Sequence, residues 1–286
     1  MTGGTLYICA TPIGNLQDIS ARVLDTLREA DLIAAEDTRH SLGLLTHYDI
    51  RRPMISYHEH NKYERAQEIV GRLLAGENVA LITDAGTPVI SDPGEVLVKA
   101  AREAGIPVTS LPGPCALITA LTLSGLPARR FVFEGFLPMD KKERRQVLED
   151  LTHQRRTMIL YEAPHRLRRT LEELSEALGG DRKICLCREL TKIHEEAPLM
   201  TLDEAAALYK ETEPRGEYVL VLEGRSEEAV EAERSALWES RTPAEHLEDF
   251  MAQGLTKKEA MKAVALRFGI SKSEIYSLIN KQAIDK

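Results

Sequence analysis

Short apolar runs alternate with amphipathic stretches over the first 128 residues of the chain. Leu6 to Ala10, Leu32 to Ala35, Met54 to Tyr57, Val79 to Ile82 and Val108 to Leu111 have the length and composition of buried strands. Between them, Ser20 to Ala30, Lys62 to Ala75 and Glu95 to Ala104 carry apolar residues at helical spacing. Such alternation predicts an α/β domain with a largely parallel sheet. The pattern restarts near Phe131, with apolar runs at Phe131 to Phe136, Met158 to Tyr161, Ile184 to Cys187 and Tyr218 to Leu222, separated by charged helical segments. We therefore expect two consecutive α/β domains, residues 1–128 and 129–226, with FLPMDKKERR as the passage into the second.

The remainder, residues 227–286, reads differently. Glu227 to Glu239 is strongly charged and predicts a linker or solvated helix, with Trp238 anchoring the C-terminal segment. Pro243 to Lys286 predicts three short helices. Ala265, Gly269 and Ile275 have helix-turn-helix spacing, with Gly269 in the turn and Ser271 as the next N-cap. Lys257, Lys258, Lys262, Arg267, Lys272 and Lys281 add basic positions. A nucleic-acid contact and a small helical packing module both fit this segment.

The residues at the strand ends are those of a ligand site. Val79 to Ile82 empties into TDAGTPVISDPG, Thr83 to Gly94, where Gly86 admits close approach to the backbone, Pro88 and Pro93 stiffen the turn, and Asp84 and Asp92 offer carboxylates. TPIGN, Thr11 to Asn15, comes after the first strand, and PGPCA, Pro112 to Ala116, comes after the fifth and opens a helix. Three such turns on one sheet edge predict convergence on a ligand. The first turn lacks GxGxxG, and GxxxxGK[ST] is absent, so dinucleotide and P-loop readings lose support.

Composition narrows the class further. At 43% hydrophobic over 286 residues the chain can bury its cores without staples. Cys9, Cys115, Cys185 and Cys187 have neither paired CxxC spacing nor a histidine cluster, so no metal site or disulfide framework is expected, and a reducing, cytoplasmic location fits. No apolar run approaches the length of a membrane span. The net charge of −8 excludes coating of nucleic acid by bulk electrostatics. Locally the picture reverses: Lys141, Lys142, Arg144 and Arg145 open one helix, Arg155 and Arg156 lie just beyond it, and Arg166, Arg168 and Arg169 fall in the next. These cations either track phosphates or form solvated helix faces.

Taken in order, TPIGN, AAEDTRH (Ala34 to His40), TDAGTP, ISDPG, PGPCA and YEAPHR (Tyr161 to Arg166), with RELTK (Arg188 to Lys192) and RGEYVLV (Arg215 to Val221) after them, resemble the tetrapyrrole methylase superfamily. Within it the chain is most similar to the branch that modifies small-subunit ribosomal RNA. The resemblance spans nearly the whole chain. It implies two α/β domains with a cofactor cleft between them, S-adenosylmethionine as methyl donor, a homodimer, and methylation of a cytidine ribose 2′-hydroxyl in the decoding region of 16S rRNA. By the same resemblance Pro12, Ile13 and Gly14 form the first cofactor-side turn, and Gly86, Thr87 and Pro88, with Ile90 beyond, stand where relatives carry Gly-Asp-Pro. Thr87 removes that acid, so Asp84 is expected to supply the nearby carboxylate. Cys115 and Ala116 are expected along the cofactor, Cys115 as a small wall residue.

Methyl transfer from a sulfonium to a hydroxyl needs alignment and a place for one proton. Glu36, Asp37 and Arg39 in AAEDTRH and Glu162 and His165 in YEAPHR are the candidates with polar neighbours. Asp37 either acts as a base or hydroxyl-positioning group with Arg39 orienting it, or caps the adjoining helix with Arg39 paired to it. The Lys141 to Arg145 cluster, with Arg166, Arg168 and Arg169, is expected on the RNA backbone. Competing expectations are a corrin precursor or a modified protein histidine as acceptor, and a non-catalytic RNA-binding module.

Overall fold

The computed structural model describes residues 3–232, 242–269, 271 and 274–275. Two compact units divide at Gly224 and Arg225. The first carries two five-stranded sheets.

The first sheet has the order β3-β2-β4-β1-β5, with β1 Leu6–Cys9, β2 Leu32–Ala35, β3 Met54–Ser56, β4 Val79–Ile82 and β5 Val108–Leu111. Every neighbouring pair is parallel. The strands lie where the apolar runs predict them, and the inner strands β2, β4 and β1 are covered on both faces, which requires near-continuous hydrophobicity. Leu32, Ala34, Val79 and Leu81 pack with Ile69 and Leu73 of helix α3 (Lys62–Leu74) and with Leu97 and Ala101 of α4 (Gly94–Glu103). The alternate residues Ile33, Ala35, Ala80 and Ile82 pack with Val23 and Leu27 of α1 (Ala21–Glu29) and Leu45 of α2 (Thr38–His47). Apolar periodicity does not reveal α2, whose only buried residues are Ser41 and Leu45.

The second sheet, in the order β6-β7-β10-β8-β9, is mixed. Its strands are β6 Phe131–Phe136, β7 Thr157–Glu162, β8 Lys183–Arg188, β9 Leu199–Thr201 and β10 Tyr218–Leu222. β6 and β7 are parallel, whereas β10 runs antiparallel between β7 and β8, and β9 antiparallel to β8. Helices α6 (Lys141–Thr152), α7 (Pro164–Leu178) and α8 (Leu202–Glu211) cover one face through Leu151, Leu167, Leu171, Leu174 and Tyr209. The other face, with Ile159, Cys185, Cys187 and Val221, is covered by Leu117, Ala120 and Leu121 of α5 (Ala116–Leu123). Helix α5 comes after the last strand of the first sheet yet packs on the second. That swap ties the two sheets together and places PGPCA at their junction.

The second unit contains α9 (Pro243–Ala252) and α10 (Lys257–Phe268), each opened by a threonine capping box. Gly269 ends α10 with φ 65°, the left-handed cap that glycine adopts without strain. Val264, Ala265 and Ile275 are buried together, and the Ser271 hydroxyl accepts the Glu274 N–H, as an N-cap does. Residues 227–232 are helical. Trp238, Lys272, Lys281 and most of the third expected helix lie outside the described residues.

Candidate functional site

The three turns at the carboxyl edge of the first sheet are laced to one another. Thr11 and Gly86 exchange backbone hydrogen bonds, Thr11 N–H to Gly86 at 2.9 Å and Gly86 N–H to Thr11 at 3.1 Å. The Thr11 hydroxyl also donates to the Thr83 carbonyl at 3.2 Å. Thr87, in place of the acid the resemblance leads one to expect, donates its hydroxyl to the Pro114 carbonyl at 2.9 Å. Gly113 lies so close to the end of β1 that a Cβ there would stand 2.8 Å from the Ala10 Cβ. The turn after β4 is held in an unusual shape: Gly86 has φ 85°, and Val89 and Ser91 adopt left-handed φ of 80° and 66°. Non-glycine residues pay roughly 1–3 kcal/mol each for such backbone, a pattern that clusters at ligand sites.

Ile13, Gly86, Thr87, Ile90, Cys115 and Ala116 form one wall of a cavity of about 300 Å³. The opposite wall comes from the second sheet: Phe136, Tyr161 and Glu162 at the ends of β6 and β7, Cys187 of β8, and Gly216 to Val219 leading into β10. Glu189, Leu190 and Lys192 of RELTK cross beside it. The size is that of a small-molecule pocket, at the switch between packed layers where such pockets form. The remaining expected cofactor residues support the wall from outside. Pro12 and Pro88 are buried, Gly14 packs against Lys192 and Thr191, and the Asp84 carboxylate accepts the Asp37 N–H at 3.1 Å.

Charge is distributed unevenly around the cavity. Glu162, with its side chain fully buried, accepts from Thr170 at 2.5 Å and from the Ala163 N–H at 2.9 Å, and pairs with Arg166 at 3.3 Å. Glu189 pairs with Lys192 at 3.0 Å. Burial pushes the Tyr161 phenol up to about 12, so it stays neutral. Cys115 stands at the N-cap position of α5, and Cys187 is fully buried, its thiol held above the usual range by the Cys185 hydrogen bond and burial.

Asp37 is the N-cap of α2. Its carboxylate accepts the Arg39 N–H at 2.8 Å and pairs with the Arg39 guanidinium at 3.3 Å. Those hydrogen bonds hold its carboxyl below the usual range. Neither residue lines the cavity; both stand at the end of β2, beside the β4 turn. Glu36 behaves oppositely: burial, with Asp84 and Asp92 nearby, raises its carboxyl. Burial also raises Asp92, against hydrogen bonds from the Gly94, Val89 and Ile90 backbone.

The basic cluster divides. Lys141, Lys142 and Arg145 are exposed on α6. Arg144 is not available to RNA: it is 4% exposed, pairs with Glu173 at 2.5 Å and donates to Thr170 at 2.7 Å. Helical spacing explains this, because one residue in the first turn of α6 must face α7. Arg166 is likewise engaged, with Glu162 and the Leu137 carbonyl, and Arg168 donates to the Tyr209 carbonyl at 2.7 Å. Arg169 pairs with Glu173 but is more than half exposed.

Sequence alone does not assign the second wall to the cavity, although YEAPHR, RELTK and RGEYVLV are the segments that build it. Residues 5–206 match the family of Tetrapyrrole (Corrin/Porphyrin) Methylases. The chain belongs to that family. It is 47% identical over 279 residues to the ribosomal RNA small subunit methyltransferase I of Halalkalibacterium halodurans, covering 98% of this chain and 96% of the relative. It is 48% identical over 275 residues to the protein of the same name from Synechocystis, covering 96% and 97%. Among solved structures, the uroporphyrin-III C-methyltransferase of Thermus thermophilus complexed with S-adenosyl homocysteine aligns at TM-score 0.55 and 19% identity, over 76% of this chain and 97% of that one. At that identity the likeness concerns the fold.

Proposed function

We propose that this family member is an S-adenosylmethionine-dependent methyltransferase of small-subunit ribosomal RNA, and that its acceptor is the ribose 2′-hydroxyl of a cytidine in the 16S decoding region. The observation that carries the reading is the junction cavity, where three turns of the first sheet face the ends of β6, β7 and β10. Near full-length relatives named for this activity support the RNA acceptor over a tetrapyrrole. The homodimer, the small-subunit context and the cytoplasmic location belong to the same proposal.

The cavity fits the donor's chemistry. Ile13, Ile90, Phe136, Leu190 and Val219 give apolar surface for a nucleoside, while Glu217 supplies negative charge for a cation, Glu162 and Glu189 being paired with Arg166 and Lys192. Bound there, S-adenosylmethionine supplies an electrophilic methyl group on a sulfonium. Gly86 and Ala116 keep the wall free of bulk, and the hydrogen bonds of Thr11 and Thr87 fix the turns before any ligand arrives, so positioning is already built in. Asp37, its carboxyl low and tied to Arg39, suits holding the acceptor hydroxyl better than deprotonating it. Glu36, raised by burial and by Asp84 and Asp92, is the better proton acceptor at the same edge.

Titration of the purified protein with S-adenosylmethionine by calorimetry tests the donor site. We expect saturable binding that Ala116→Trp abolishes while the fold, monitored by circular dichroism, persists. Undiminished binding by the variant would remove the donor from this cavity.

A further inference from the structure

A second depression adjoins the donor cavity. Asn15 of the first turn, Leu16 and Gln17 of the 3-10 helix that Asn15 caps, His47 at the end of α2, and Ile193 and His194 beyond RELTK line it. Lys192 lines both spaces, which are therefore neighbours along its side chain.

The two differ in charge. Among the described residues, three carboxylates line the donor cavity, whereas no aspartate or glutamate lines the groove. In a chain with 45 acidic and 37 basic residues, a lining of amides, imidazoles and one lysine, itself paired with Glu189 at 3.0 Å, marks a surface that a polyanion can enter with little repulsion. Two acids beyond the strap are turned to other partners. Glu195 accepts the Thr191 N–H at 2.7 Å, and Glu196 takes both Arg188 nitrogens at 2.7 and 2.9 Å.

The strap that forms one side is held in a defined shape. Glu189 and Thr191 adopt φ of 51° and 67°, and the Thr191 hydroxyl accepts the Asn15 N–H at 2.9 Å. Gly14 admits this approach: a Cβ there would lie 2.7 Å from the Lys192 Cγ. The strap ends in Ile193, which is 97% exposed. An aliphatic side chain projected into solvent beside a carboxylate-free groove offers an apolar surface to an unstacked base.

We propose that this groove receives the acceptor RNA strand, with Gln17, His47 and His194 along its sugar-phosphate backbone and Ile193 against a base. The proposal rests on the reading of the protein as an RNA methyltransferase. It accounts for the division of charge, with a cationic donor among carboxylates and a polyanionic acceptor where there are none.

The test uses full-length Gln17→Glu, His194→Glu and their double variant, all at exposed positions, with Ile193→Asp as an independent probe. Three quantities are measured: S-adenosylmethionine affinity by calorimetry, KM and kcat for methyl transfer to small ribosomal subunits, and molar mass by light scattering. We expect donor affinity within about twofold of wild type, KM for the subunit raised at least tenfold in the double variant, and unchanged mass. An unchanged KM overturns the proposal, as does a shift in mass, which would assign Leu16 and Ile193 to contact between two copies of the chain. A wild-type protein that binds donor but methylates no subunits refutes the functional reading itself, and the groove assignment with it.

Discussion

The Asp84 carboxylate accepts the backbone N–H of Asp37 at 3.1 Å, across 47 residues of chain. This bond joins the turn that feeds the donor cavity to the start of α2, where the proposed acceptor-side residues stand. Asp84→Ala leaves a partly buried N–H without its acceptor, at a cost of about 1–2 kcal/mol. Urea denaturation should show that loss, and kcat should fall further than donor affinity, because the disturbed group lies outside the cavity wall. Equal loss of both would place Asp84 on the donor instead.

Gly86 holds φ 85°, and a Cβ there would meet the Ile13 Cγ2 at 3.3 Å. Gly86→Ala therefore combines left-handed backbone strain of about 1–2 kcal/mol with an intrusion into the cavity wall. We expect donor affinity to drop at least tenfold in calorimetry while circular dichroism remains that of the folded protein.

Arg144 and Arg145 are adjacent in sequence and opposite in role. Arg144→Ala removes a buried guanidinium from Glu173 and Thr170 and should cost about 1.5–3 kcal/mol, since Glu173 is partly exposed and keeps Arg169, with the salt dependence of RNA binding unchanged. Arg145→Ala, at an exposed site, should change stability by less than about 0.5 kcal/mol. If it meets a phosphate, it should lower the slope of log K against log salt by about one unit. Parallel denaturation and salt titrations separate the two.

Glu36 titrates above the ordinary range because burial, Asp84 and Asp92 disfavour its anion. A carboxyl raised in the folded state binds more protons than in the unfolded state between the two pKa values, so it loses stability as pH climbs through that interval. Glu36→Gln removes that penalty. The variant should melt higher than wild type at neutral pH, and the difference should vanish below the unfolded pKa, where both are uncharged. If Glu36 also takes the acceptor proton, kcat falls in the same variant.

The central strands were legible because a doubly covered sheet needs unbroken apolar runs, and Leu32–Ala35, Val79–Ile82 and Tyr218–Leu222 have nothing else to be. Helix α2 was hidden by its own cap: Asp37-Thr38-Arg39 looks like chemistry, and only Ser41 and Leu45 are buried to signal a helix. The antiparallel entry of β10 was not legible, since an apolar strand carries no mark of its direction. The first wall of the cavity could be read from three turns of one sheet, but its second wall depends on α5 crossing to the other sheet. That crossing is a tertiary fact, and it brings Tyr161, Glu162 and Gly216 to Val219 opposite Thr87.

The decisive measurement is transfer of labelled methyl from S-adenosylmethionine to small ribosomal subunits prepared from a strain lacking the protein. A 2′-O-methyl group blocks alkaline cleavage at its own nucleotide. We expect label in 16S rRNA, at one alkali-resistant cytidine of the decoding region. Label in ribosomal protein or on a base, or no label on subunits that the protein demonstrably binds, would contradict it.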